Sequence, residues 1–250
     1  MAAVEPVREG PLFLADIGLR VVRVLVLLAV WRSVLTGRPP ASGMTLGAVL
    51  TYVLLAEVFA GQLSVRSSLI EHLWNGSIAG RFVWPLGLAG QVGSELAGRW
   101  LPGLVLCSVP LLLAAPLLGV DPRPASPAAL WLFAPSLVLA IVVGVAVDFG
   151  FVILIVVLET SIWLVDLIRA ATTTLLSGSL VPLMLLPWGL GGIFSWLPFA
   201  AMASAPLRIY TGTGPAMELM AGQAAWALVL ALLVRWLWRR NRERVVGYGG

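Results

Sequence analysis

Residues 129 to 159 read ALWLFAPSLVLAIVVGVAVDFGFVILIVVLE, and the one charge ahead of the closing Glu159 is Asp148. A helix needs about 20 mostly apolar residues to cross a hydrocarbon core ~30 Å thick. The run 129–157 holds 29 residues, which at ~1.5 Å each overshoot that thickness. Either the helix tilts and keeps Asp148 at membrane depth, or it emerges into the cytoplasm near Asp148 and leaves that residue at the interface. A chain built around such a segment folds in lipid.

The composition agrees. Of 250 residues, 60% are hydrophobic and 11% charged, with a mean hydropathy of +0.98, so polar surface is too scarce to cover a water-soluble globule. Six runs qualify as spans, near 18–36, 45–64, 100–118, 129–157, 161–186 and 216–238. The expected fold is an all-α polytopic membrane protein, one transmembrane domain over 1–250 with six transmembrane helices. The opening MAAVEPVREG carries two acids and an arginine, a poor signal peptide, so it is expected to stay in the mature protein. PLFLADIGLRVVRVLVLLAVW (11–31), with Asp16, Arg20 and Arg23, reads as an N-terminal interfacial helix that turns into the first span.

All sixteen basic residues are arginine. Arg235, Arg239, Arg240, Arg242 and Arg244 crowd the C-terminus, and Arg66, Arg81 and Arg99 lie around the connection between spans two and three. The positive-inside rule makes both regions cytoplasmic. Six spans then put the N-terminus, with Arg8, on the same side. GRPPASG (37–43), GVDPRPASP (119–127) and RIYTGTG (208–214) hold one arginine each, as outer connections should.

Few residues offer chemistry. Cys107 is alone, which excludes a disulfide within the chain and reads as a small buried hydrophobe. His72 is alone as well, and without a cluster of ligands no metal site is expected. No lysine means no P-loop, and no HExxH, G-x-S-x-G or strand-borne G-x-G-x-x-G occurs. Glu57, about a dozen residues into span two, joins Asp148 as an intramembrane polar candidate. Each costs at least ~2.5 to 3.5 kcal/mol to insert, so each faces a bundle interior, a cavity or a partner. The ordinary reading of both is a structural carboxylate at a helix contact.

VRSSLIEHLWNGSIAGRFVWPLG (65–87) is the longest polar connection. Leu69, Ile70, Leu73, Trp74 and Ile78 share one helical face, with Glu71, His72 and Asn75 opposite. Gly76 allows a turn and Pro85 a stop, so two short interfacial helices joined at Gly76 are expected. Later, SGSLVPLMLLPWGLGGIFSWLPF (177–199) is apolar yet broken by Pro182, Pro187 and Pro198 and by four glycines. Nonhelical backbone at membrane depth must be buried in protein or line a cavity. Span five is expected to end around 182–187, and 187–200, with Trp188 and Trp196 at interfacial depth, to form short re-entrant helices.

Several spaced elements together resemble the membrane subunits of type-2 ABC exporters, in a small six-span branch whose genes often occur as neighbouring pairs beside an ATPase gene. They are AVWRSV (29–34), GMTLGAVLTYVLLAE (43–57), WNGSIAGRFVWPL (74–86), LLSGSLVPLMLLPWGLGGIFSWLPFAAMASAPLRIYTG (175–212), the Q-x-x-W of Gln223 and Trp226, and the terminal glycine pair. Two positions depart from the family pattern: Trp84 stands where an arginine usually precedes the coupling proline, and VVLET (156–160) replaces an aromatic-Trp-Thr-Glu element.

The resemblance implies an ATP-driven exporter in which this chain forms half of the substrate path. ATP and Mg would be bound by a separate ABC ATPase, two copies per complex, and no cofactor by this chain. The coupling segment 66–86 would enter a cleft of the ATPase, with Gly76, Ile78, Arg81, Phe82 and Pro85 at the contact. Pro187, Trp188, Gly191, Trp196 and Pro198 would belong to the extracytoplasmic re-entrant region that caps the exit. A second, related but non-identical membrane subunit is favoured, with a homodimer left open; the setting is a bacterial inner membrane. The substrate class would be an amphipathic small molecule, antibiotic, peptide or lipid, and no nucleic acid is expected. Competing readings are a proton-coupled secondary transporter using Glu57 or Asp148, which lacks the internal repeat such folds show, and a non-transporting membrane assembly or immunity subunit.

Overall fold

A computed structural model describes residues 11–37 and 43–247, which contain helices and no strand. Arg8, Arg38 and the terminal glycine pair lie outside the described residues, as does the side chain of Asp16. Among the described residues three helices are long and apolar enough to cross a membrane: Leu88–Ala114, Pro127–Leu158 and Ala216–Val245.

The first helix, α1 (Pro11–Leu35), is uninterrupted. The expected turn from an interfacial helix into a span is therefore absent: the stretch between Asp16 and Trp31 holds no proline, and the helix runs through its one glycine, Gly18. It is long enough to span but carries Asp16, Arg20, Arg23 and Arg32. Helix α2 (Leu46–Val58) starts where the hydroxyl of Thr45 accepts the N–H of Ala48 at 3.2 Å. It breaks at Phe59 before the short α3 (Ala60–Leu63), so its 13 residues reach only about 20 Å. Two short helices follow, α4 (Leu69–Trp74) and α5 (Ile78–Arg81), on either side of Gly76, whose φ of +68° turns the chain.

Helix α6 (Leu88–Gly103) contains Pro102 and runs through a π-helical turn, Leu104–Ser108, into α7 (Val109–Ala114). A proline lacks the N–H that the preceding turn needs, and a widened turn absorbs the mismatch. Cys107 and Ser108 are buried there, and the Ser108 hydroxyl donates to the Val58 carbonyl at 2.6 Å.

Helix α8 (Pro127–Leu158) is the axis of the molecule. Ser126 caps it and Pro127 opens it, and its 32 residues extend about 48 Å. It packs most extensively along α13 (Ala216–Gly247). One end of the bundle gathers Val65, Leu69, Ile78, Leu96, Phe149 and Ile155 into a core cluster. The other gathers Tyr52, Val53, Phe133, Leu207 and Tyr210. There the connection 115–126 is pinned by Thr51 to Asp121, Tyr210 to Pro122 and Arg32 to Leu118 hydrogen bonds onto backbone carbonyls.

Helix α9 (Ile162–Leu176) stops at Leu176, earlier than the 182–187 expected from the prolines. Gly178, with φ +79°, ends it: its carbonyl accepts the Tyr52 hydroxyl at 2.8 Å, and the Ser177 carbonyl accepts the Ser204 N–H at 2.9 Å. These carbonyls are engaged by other elements rather than by a continuing helix. After a 3-10 turn at Leu183–Leu185 come α10 (Leu190–Ser195), α11 (Pro198–Met202) and α12 (Ser204–Tyr210).

Candidate functional site at the 65–99 connection

The connection between α3 and α6 is fastened from inside by Arg81. Its Nη2 donates to Ser68 Oγ at 3.0 Å and to Glu95 Oε2 at 2.9 Å, and contacts His72 Nε2. Glu95 also pairs with Arg99 at 3.1 Å, one helical turn on. The amide of Gln91 donates to the carbonyls of Arg81 and Leu86 at 2.8 and 2.7 Å, which fixes the chain between them. His72 Nδ1 lies 2.7 Å from Ser77 Oγ. With Arg81 facing Nε2, the proton sits on Nδ1. Burial first, then the Arg81 charge, hold His72 below its ordinary 6.5, against the opposing pull of Glu95 and Glu71. His72, Ser77, Arg81, Gln91 and Glu95 line a cavity of about 610 Å³ whose wall includes Trp84 and Leu86.

A second fastening lies beneath. Asp148, 1% exposed, accepts the backbone N–H of Ser67 at 3.1 Å and its hydroxyl. Arg169, 4% exposed, approaches Asp148 at 3.9 Å, pairs with Asp166 at 2.9 Å and donates to the Val65 carbonyl at 3.4 Å. Arg66 closes the group on Asp166 at 3.1 Å. Residues 65–68 are thereby tied to both α8 and α9. A buried charge needs such partners, since the cost of dehydrating it alone is several kcal/mol.

The residues expected at a partner contact divide on exposure. Ile78 has no exposed surface and packs into the core cluster with Val65, Leu69 and Leu96. Arg81 is part-buried and bonded to Glu95, Ser68 and His72. Phe82 is held from two sides, by Trp238 at 6.5 Å between ring centroids and by Arg242 at 5.5 Å over its face. Gly76 makes the turn. Pro85 is exposed, and with it Val83 at 83% and Trp84 at 66% form the outward apolar surface. Trp84 is thus the side chain on display at the position where the sequence departs from the pattern it resembles.

The structure brings Asp148 to this site and leaves Glu57 apart. Glu57 is buried and pairs with Arg23 at 3.0 Å. Pro187, Trp188, Gly191, Trp196 and Pro198 lie together in the α10 and α11 region: Trp188 (φ +58°) and Gly189 (φ +71°) reverse the chain, Pro198 opens α11, and the Trp196 carbonyl accepts the Trp226 indole N–H at 3.1 Å. Sequence reasoning overlooked Arg169, Ser67, Gln91 and Glu95. A signal existed for Arg169, an arginine three residues after an aspartate within an apolar helix; nothing local marks Ser67 as the partner of Asp148. Among the described residues no group of three or more His, Cys, Asp or Glu could hold a metal ion. In comparison with models of protein families, curated proteins and solved structures, the chain finds no match.

Proposed function

We propose that the chain is the membrane subunit of an ATP-driven exporter of the type-2 ABC class, with residues 66–86 as the element that receives force from a separate ATPase. One observation carries this reading: the turn that follows the second short helix presents Val83, Trp84 and Pro85 outward, while Arg81 ties the same segment to Glu95 of α6 and Ser67 ties it to Asp148 of α8. An exposed apolar patch marks a partner surface, and its fastening transmits a displacement to the long central helix instead of dissipating it in a loop. The patch follows Phe82, over whose ring lies Arg242 of the arginine-rich C-terminal part of α13, a part that the positive-inside rule puts in the cytoplasm with both termini.

In this reading the chain crosses a bacterial inner membrane six times, with the short α2 continued by α3 and α9 by the chain up to the 3-10 turn, α10 and α11 re-enter the outer leaflet, and a second membrane subunit, related but non-identical, completes the path. Secondary transport driven by Glu57 or Asp148 is disfavoured, because both carboxylates are engaged by arginines. The test starts at the neighbouring reading frames, where this reading expects an ABC ATPase gene; absence of such a gene would count against it. It continues with co-expression of that ATPase, co-purification and stimulated hydrolysis. Val83→Asp with Trp84→Ala should abolish both while the chain still inserts. Unchanged binding and hydrolysis would remove the coupling assignment.

A further inference from the structure

Between α10, α11, α12 and the start of α13 lies a pocket of about 320 Å³, remote from the 65–99 connection. Its wall includes Trp196, Ser204, Arg208, Glu218, Gln223 and Trp226. Most of the polar groups are spent: Gln223 gives its amide to Ser136 and the Ala201 carbonyl, and Trp226 donates to the Trp196 carbonyl. Two charges are left. Arg208 reaches one distant acceptor, the Thr213 carbonyl at 3.4 Å, and its buried Nε has no partner. Glu218, exposed in the first turn of α13, makes no hydrogen bond or ion pair among the described residues.

The guanidinium is held in place. Residues 211–215 fold over it so closely that a Cβ on Gly214 would come within 2.9 Å of Nη2. A buried donor without an acceptor is costly, and a guanidinium is best satisfied by a planar or tetrahedral anion. A carboxylate on the same wall repels a simple anion and favours one that also carries a cation. The volume is at the small end of ligand pockets, suited to a head group, and its wall carries Trp196 and Trp226, a residue type favoured where a bilayer meets water.

We infer that this pocket binds a zwitterionic phosphate ester of the phosphoethanolamine type, its phosphate oxygens accepting from Arg208 and its ammonium facing Glu218. The assignment requires a chain in contact with a bilayer and nothing of an ATPase. It is tested by native mass spectrometry on the full chain in neutral detergent, titrated with phosphatidylethanolamine, phosphatidylglycerol and phosphatidylcholine of matched acyl chains, and with soluble glycerophosphoethanolamine. The ethanolamine lipid should bind best. Glu218→Gln should bring it down to the level of the glycerol lipid, and Arg208→Gln should weaken both about tenfold. Glycerophosphoethanolamine bound with the same dependence on both residues identifies a soluble ester as the ligand; binding confined to the diacyl form identifies the lipid. No preference for ethanolamine over glycerol, or a preference that survives Glu218→Gln, overturns the assignment. Glu218, being exposed, keeps the test decisive should Arg208→Gln fail to fold.

Discussion

The backbone N–H and the hydroxyl of Ser67 converge on one oxygen, Oδ2, of Asp148, which lies 81 positions further along the chain. A residue of the polar connection thus reaches into the long apolar helix and satisfies its carboxylate. Asp148→Ala removes the acceptor for Ser67 and the counter-charge for Arg169. Removal of one partner from a buried ion pair costs about 3 to 5 kcal/mol. Asp166 keeps a hold on Arg169, so the lower end is expected, about 3 kcal/mol. Asp148→Asn retains an acceptor and should cost about 1 kcal/mol. Thermal unfolding in detergent reads both; equal melting of wild type and Asp148→Ala would mean the pair is not structural.

Ser136 and Gln223 form a reciprocal pair between α8 and α13: the Ser136 hydroxyl donates to Oε1 at 2.7 Å, and Nε2 donates back to the Ser136 carbonyl at 3.1 Å. Both residues are buried. A double-mutant cycle with Ser136→Ala and Gln223→Leu should yield a coupling of about 0.6 to 1.7 kcal/mol, the range for hydrogen bonds between membrane helices. Additive single effects would show that the two act independently.

Gly191 and Gly192 are neighbours with opposite tolerance. A Cβ on Gly191 would lie 2.0 Å from the Leu183 carbonyl oxygen, whereas one on Gly192 meets nothing within 4 Å. Gly191→Ala should therefore destabilise by about 1 to 3 kcal/mol, as overpacking does, and Gly192→Ala should be close to neutral. The same geometry selects the labelling sites for topology. A cysteine at Gly192 or Ser195 should react with an impermeant reagent from outside the cell and not from the cytoplasm, while Gly191→Cys perturbs the turn it is meant to report.

His72 titrates below its ordinary 6.5 because burial and the Arg81 charge disfavour the imidazolium. The unfolded chain then takes up the proton first as pH falls, so stability is full above about 6.5 and declines from there down to the folded value. His72→Gln should flatten that part of the curve without changing it above pH 7. Denaturation followed across pH 5 to 8 in wild type and variant, and subtracted, shows the difference; parallel curves would refute it.

The class of molecule was legible without coordinates. Apolar run length and arginine placement act locally on insertion; α8 and α13 follow from the length of their apolar runs, and the turn at Gly76 from a glycine that accepts positive φ. The ends of helices were less legible. Span five was expected to run to the prolines at 182 and 187, yet it stops at Leu176 because Tyr52 and Ser204, distant in the chain, take the carbonyls of Gly178 and Ser177. The break at Phe59 was hidden for the same reason, since the Ser108 hydroxyl takes the Val58 carbonyl.

At the candidate site the amino-acid sequence determined which residues carry charge in apolar surroundings, since an aspartate inside ALWLFAPSLVLAIVVGVAVDFGFVILIVVLE stands out by composition alone. Only the tertiary structure decided what those charges face. Asp148 finds Ser67 and Arg169, Glu57 finds Arg23, Arg81 turns inward to Glu95, and Trp84 is left on the surface. Pairing and exposure are properties of distances between segments far apart in the chain, and no local pattern encodes a distance across the bundle.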